Sequence, residues 1–134
     1  MMRIFLDTNI LVDYALGREK GDDAEQLLQR GFDRTVCLQT SYLSFANMAY
    51  ILKSKLDIYA LLGDLCQFIT ILNMDSSQFQ LALGQRVRDF EDMLQYQCAK
   101  AAGCDVIITN NKRDFASFCD LPLMTAAEFL STLP

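Results

Sequence analysis

Histidine is absent from this chain of 134 residues. That removes Ser–His and Cys–His nucleophilic centres and any His-ligated zinc. Whatever chemistry the protein performs must come from carboxylates, hydroxyls, amides or lysines. The five cysteines, Cys37, Cys66, Cys98, Cys104 and Cys119, include no CxxC pair, and their number is odd. Most lie in apolar contexts, which predicts buried free thiols in a reducing compartment rather than disulfides or zinc ligands. No run reaches the roughly eighteen unbroken apolar residues of a membrane helix, and the N-terminus lacks a signal-peptide layout. A cytoplasmic location without a membrane partner is expected. Low-complexity segments, internal repeats and linkers are missing too.

Positive charge is also scarce, with 12 Lys and Arg against 17 Asp and Glu and a net charge of −5. This weighs against a nucleic-acid partner, because phosphate binding usually shows as a basic surface. A protein that gathers carboxylates around bound cations partly escapes the objection, since a divalent cation reverses the local field. The basic residues fall in pairs, Arg18/Lys20, Lys53/Lys55, Arg86/Arg88 and Lys112/Arg113, each of which reads first as solvated surface. With 51% hydrophobic and 22% charged residues the chain is globular and leans apolar. One domain over residues 1–134 is expected, long enough to bury a proper core.

The stretch that organises the rest is Arg3–Tyr14, RIFLDTNILVDY. Ile4-Phe5-Leu6 is too short for a helix and suits a strand buried on both faces. It stops in Asp7-Thr8-Asn9, and an apolar pattern resumes at Ile10, Leu11 and Tyr14. Asp7 or Thr8 can cap the helix that follows. A carboxylate at the C-terminal end of a buried parallel strand also stands where open α/β sheets bind ligands. Val106-Ile107-Ile108 repeats the pattern, ending in Thr109-Asn110-Asn111 and then Lys112-Arg113-Asp114-Phe115. Two buried, parallel, adjacent strands would thus deliver Asp7 and Thr109–Asp114 to one sheet edge. Asp89-Phe90-Glu91-Asp92 opens a helix between them.

Three segments, FLDTNILVD, TSYLSFANMAYIL and DFEDMLQYQCAKAAGCDVIITNNKRDF, follow one another in this order. Together they resemble the PIN domains, metal-dependent nucleases that include the toxin ribonucleases of VapC-type toxin–antitoxin pairs. The resemblance runs along nearly the whole chain. It implies a PIN-like three-layer α/β/α sandwich with RNA as substrate, an antitoxin protein as partner, and a homodimer, for which the apolar residues around Tyr42–Phe68 also speak.

The remaining elements agree with such a fold. Gly17–Gly21 is a polar loop, and Asp22-x-x-Glu25 opens a helix in the manner of a capping box. Thr35–Gln39 reads as a strand, Tyr42–Lys53 and Ile58–Phe68 as helices, and Ile69–Asn73 as a strand. Ser77-x-x-Gln80 predicts a second capping box for a helix to about Val87. Asp92–Ala102 reads as a helix stopped by Gly103, Pro122–Met124 as the last strand, and Thr125-x-x-Glu128 as the cap of a final helix. Alternation of this kind predicts a parallel sheet of about five strands with helices on both faces.

Phosphodiester cleavage needs an activated water and stabilisation of charge on the attacking and leaving oxygens. Mg²⁺ or Mn²⁺ ions do both, with carboxylates and water as preferred ligands. Asp7, Asp92 and Asp114 are the expected metal ligands. Asp92 alone could instead serve the helix dipole, and Asp114 could be a turn residue or cap. Asn9, Thr109 and Asn111 are expected to orient water or phosphate oxygens. Asp89 reads as a helix N-cap and Asp13 as solvent-facing.

At Asn47 the chain departs from the pattern, because the resemblance implies a glutamate there. Asn47 can be a weak fourth ligand, but it brings no charge and cannot act as a base. Asn111 likewise stands where some members carry a further aspartate. Two other readings compete. A haloacid-dehalogenase-like phosphatase would need a second aspartate two residues after Asp7, where this chain has Asn9. A catalytically inactive PIN-like module binding RNA or protein would have Asn47 as its mark.

Overall fold

Side chains alternate across a strand, so Ile4 and Leu6 face one way and Phe5 the other. That alternation decides which helices cover which side of the sheet. The computed structural model describes residues 1–134. Strand β1 (Arg3–Leu6) leads into helices α1 (Thr8–Leu16) and α2 (Gly21–Phe32), then β2 (Cys37–Ser41), α3 (Tyr42–Leu52), α4 (Ile58–Leu65) and β3 (Ile69–Leu72). Next come α5 (Ser76–Gln85), α6 (Phe90–Ala101), β4 (Val106–Ile108), α7 (Lys112–Ala116), β5 (Leu123–Met124) and α8 (Ala126–Leu130). The strands form one sheet in the order β3-β2-β1-β4-β5, with every neighbouring pair parallel.

Ile4, Leu6, Leu38, Ile69, Val106 and Ile108 face a core shared with α1 to α4 and α8, while Phe5 and Ile107 face a second core against α5, α6 and α7. The architecture is therefore the expected three-layer α/β/α sandwich. β1 and β4 are the expected adjacent, doubly buried parallel pair, in register from Ile4 with Val106 to Leu6 with Ile108. No helix is long and apolar enough to cross a membrane.

Several local expectations shift. The second strand starts at Cys37 rather than Thr35, because Arg34 adopts a left-handed conformation (φ 61°) and pairing with β1 begins at Arg3 opposite Cys37. Helix α2 starts at Gly21, so Asp22 lies in its first turn beside Asp23 and is no capping box. There the two carboxylates favour the positive end of the helix dipole. The box on α5 is Asp75 with Gln78, two residues before the expected pair. Asp114 belongs to the short helix α7 rather than to a loop; five residues are too few for a helical period to show. Asp13 is buried, not solvent-facing: its carboxylate accepts from Asn110 Nδ2 at 2.6 Å and pairs with Arg18 at 3.3 Å. All five cysteines are free thiols, yet only Cys98 and Cys104 are buried and Cys66 is exposed.

Helices α3 and α6 cover opposite faces but are tied together over the C-terminal edge of the sheet. The Ser41 hydroxyl, which caps α3, donates to Gln95 Oε1 at 2.6 Å, and Gln95 Nε2 donates to Ser44 Oγ at 2.9 Å. All three residues are fully buried. Gln95→Leu removes both bonds and leaves two buried hydroxyls underpaired, which should lower unfolding free energy by about 1–3 kcal/mol. A urea titration reads this directly, and an unchanged midpoint would show that the tie contributes nothing.

Candidate active site

Asp7 stands one residue past β1, where the strand order reverses between β1 and β4. It is the N-cap of α1, with Oδ1 accepting from the Thr8 amide at 2.8 Å. Its Oδ2 accepts from the Thr109 hydroxyl, also at 2.8 Å, at the equivalent position past β4. The Thr109 oxygen in turn accepts from the Asn111 amide at 3.0 Å. Asp7 is thus a cap and a cavity residue at once, its orientation set by neighbours on both strands.

Asp92 reaches the same place from α6, whose N-cap Asp89 accepts from the Asp92 amide at 3.0 Å. Asp114 arrives from the first turn of α7. Together with Asn9, Asn47, Asp89, Glu91 and Asn111, these residues line a cavity of about 360 Å³ that contains no Lys or Arg. Thr109 is fully buried behind Asp7 and does not reach the cavity wall. Its single hydroxyl proton goes to Asp7, so what it orients in this structure is that carboxylate. A larger apolar groove along Phe32, Phe68 and Ile71 lies beside the N-terminal ends of β2 and β3 and holds none of the acidic residues.

Carboxylates facing one another without a cation between them resist ionisation. Burial is the main force on Asp7 and pushes its pKa from 3.8 up to about 6. The bonds from Thr109 and Thr8 pull it back, and the charges of Glu91 and Asp114 push further. Asp92 is driven to about 7, by burial first and then by Asp7, Asp89, Asp114 and Glu91. Glu91 is raised as well, by burial and then by Asp89, against a bond from Asn47.

In the DFED run the sequence pattern points to Asp92 and not to its neighbour Glu91. In the fold, Asn47 Nδ2 donates to Glu91 Oε1 at 2.8 Å, and both residues line the cavity. Only the adjacency of two acids at a helix start signalled this. Tyr50 and Ile51 on the rim and Thr8 in the wall are further cavity residues to which no sequence pattern points. The Thr8 hydroxyl is buried without any hydrogen-bond partner.

An all-oxygen donor set with surplus negative charge and an orphaned hydroxyl in its wall fits a hard divalent cation. No three of the acidic groups are drawn together closely enough to grip one ion by themselves. Like charges spread apart, and Mg²⁺ usually keeps several of its waters, so direct closure by the protein is not required.

The sequence pattern of the PIN domain matches residues 3–113. Ribonuclease VapC1 of Aquifex aeolicus (strain VF5) is 29% identical over 140 residues, spanning 95% of this chain and 92% of that protein. The fold is similar to a chain of a toxin–antitoxin complex from Klebsiella pneumoniae, with a TM-score of 0.68 and 22% identity over 92% of this chain and 97% of that one. It is similar too to a chain of VapBC2 from Rickettsia felis bound to a promoter DNA fragment, with a TM-score of 0.70 and 18% identity over 92% and 98% of the two chains.

The raised carboxyls predict a pH dependence for the metal-free protein. The folded state holds protons on Asp7 and Asp92 that the unfolded chain has released, so these groups lower stability as pH rises from about 4 through about 7. Asp7→Asn keeps a capping oxygen and abolishes one titration. In EDTA it should unfold at a higher temperature than wild type at about pH 8, with the difference shrinking toward pH 4. Parallel melting-temperature profiles would show that Asp7 carries no such penalty.

Proposed function

Because the chain belongs to the PIN domain family, we propose that it is a metal-dependent endoribonuclease and the toxin of a toxin–antitoxin pair. The observation that carries this reading is the cavity itself, lined by Asp7, Asp92 and Asp114 beside the sheet's reversal point with no basic residue in its wall. The names of the Aquifex ribonuclease and of the Klebsiella and Rickettsia complexes support the activity and an antitoxin protein as partner. Residues 1–134 act as a single domain. A homodimer formed through the apolar surface near Tyr42, Tyr50 and Tyr59 agrees with the exposure of those side chains.

Asp7, Asp92 and Asp114 would hold Mg²⁺ or Mn²⁺, with Asn47 as a weak fourth ligand. Such an ion, when bound, supplies countercharge at the scissile phosphate and lowers the pKa of water. The chain's own groups do the positioning. Thr109 and the Thr8 amide hold the Asp7 carboxylate in one orientation. Asn9 and Asn111 sit in the cavity wall, where their amides can donate to phosphate oxygens. With an amide at 47, α3 contributes no charge, and fewer charged ligands bind a divalent ion more weakly. The reading as an inactive RNA- or protein-binding module rests on that residue alone.

Cleavage of a mixed RNA pool with Mn²⁺ or EDTA, alongside melting temperatures, separates the two readings. A nuclease cleaves with Mn²⁺ only, and Asp7→Asn should lower its rate by more than the roughly hundredfold that loss of a ligand's supporting partner costs. Metal-induced stabilisation without cleavage would favour the binding module. No response to metal at all would make the acidic cavity structural.

A further inference from the structure

We propose that Glu91 supplies, from α6, the metal-binding carboxylate that α3 lacks at Asn47, so that the acidic site is relocated rather than weakened. This rests on the reading of the cavity as a divalent-cation site. The motive is the bond from Asn47 Nδ2 to Glu91 Oε1 at 2.8 Å, made where both residues line the cavity.

The chemistry of the pair explains the amide. Only a donor can sit at hydrogen-bond distance from a carboxylate without repulsion, and asparagine brings two N–H groups. A glutamate at 47 would face Glu91 charge to charge. The asparagine instead fixes Oε1 and leaves Glu91 Oε2 with no partner in the protein. Glu91 is the second residue of α6, directly before Asp92, so one helical turn presents two carboxylates to the cavity.

The geometry beneath is fixed independently. Ser44 lies one turn before Asn47 and Gln95 one turn after Glu91, and these two bond at 2.9 Å. The Asn47–Glu91 bond is therefore the outer rung of a ladder whose inner rung is fully buried. Asp89 lines the same cavity, but one of its oxygens is committed to capping α6. Thr8, in the same wall, is 6% exposed and its hydroxyl has no partner, a polar atom left for a ligand or its water.

The test measures Mn²⁺ affinity, from the electron-spin-resonance signal of free Mn²⁺ and from melting temperature against Mn²⁺, on purified full-length chain. Wild type is compared with Glu91→Gln, Asp89→Asn, Asp7→Asn and the exchange Asn47→Glu/Glu91→Gln. Glu91→Gln should weaken Mn²⁺ binding roughly tenfold or more, while Asp89→Asn, which keeps the cap, changes it about threefold or less. The exchange has the wild-type net charge and should recover affinity to within about threefold, because it moves one carboxylate across the bond. RNA cleavage should follow the same order.

Equal losses in Glu91→Gln and Asp89→Asn would mean a diffuse field and overturn the proposal. So would unchanged affinity in Glu91→Gln, or an exchange that recovers nothing, in a protein whose Asp7→Asn variant loses Mn²⁺. If wild type itself does not bind Mn²⁺, the reading of the cavity fails and the proposal falls with it.

Discussion

β1 and β4 pair in parallel along their whole length, and from this seam the chain departs in opposite directions, through β2 to β3 on one side and to β5 on the other. The helices that directly follow the two seam strands, α1 after β1 and α7 after β4, cover opposite faces, so neither crosses the seam at its C-terminal end. A crevice opens there as a consequence of topology, before any side chain is considered. Leu6 and Ile108 close the last buried layer, and the next residues, Asp7 and Thr109, are the first polar groups past it. Their mutual hydrogen bond is what the acidic site hangs on.

That position has an electrostatic cost. Asp7 is almost wholly buried, and every other acid in the cavity raises rather than lowers the tendency of its neighbours to hold protons. No basic side chain lines the wall to offset this. The fold tolerates the arrangement because both Asp7 oxygens are hydrogen-bonded, and because the cavity opens to solvent through Glu91, Asp89 and Asp114. A divalent cation would relieve the repulsion, which is why ligand binding and stability are linked here.

Basic residues are scarce but not randomly placed. Arg88 and Arg113 line a groove that shares Asp89 and Asp114 with the acidic cavity, and neither is in an ion pair. Lys53 lies 4.5 Å from the ring centre of Tyr50, at the cavity's other rim. The chain's net charge of −5 therefore understates how much positive charge stands near the site. Average charge says nothing about its distribution, and distribution is what a polyanion meets.

Apolar runs that end abruptly in polar clusters determined the strands β1 and β4, their burial and their adjacency, because only a doubly covered parallel strand needs an unbroken apolar stretch. The order of strands and helices determined the sandwich, and Asp89, Thr125 and Gly103 marked their helix ends through local hydrogen bonding and backbone freedom. Tertiary structure decided what depends on contact across the chain. Asp13, on α1, is covered where Asn110 reaches it from the loop after β4, which no local pattern can show. Ser41, Ser44 and Gln95 read as ordinary polar residues until the two sides of the sheet bring them together. Glu91 joins Asn47 across 44 residues of chain, and its carboxylate belongs to the cavity only because two helices on opposite faces meet over one sheet edge.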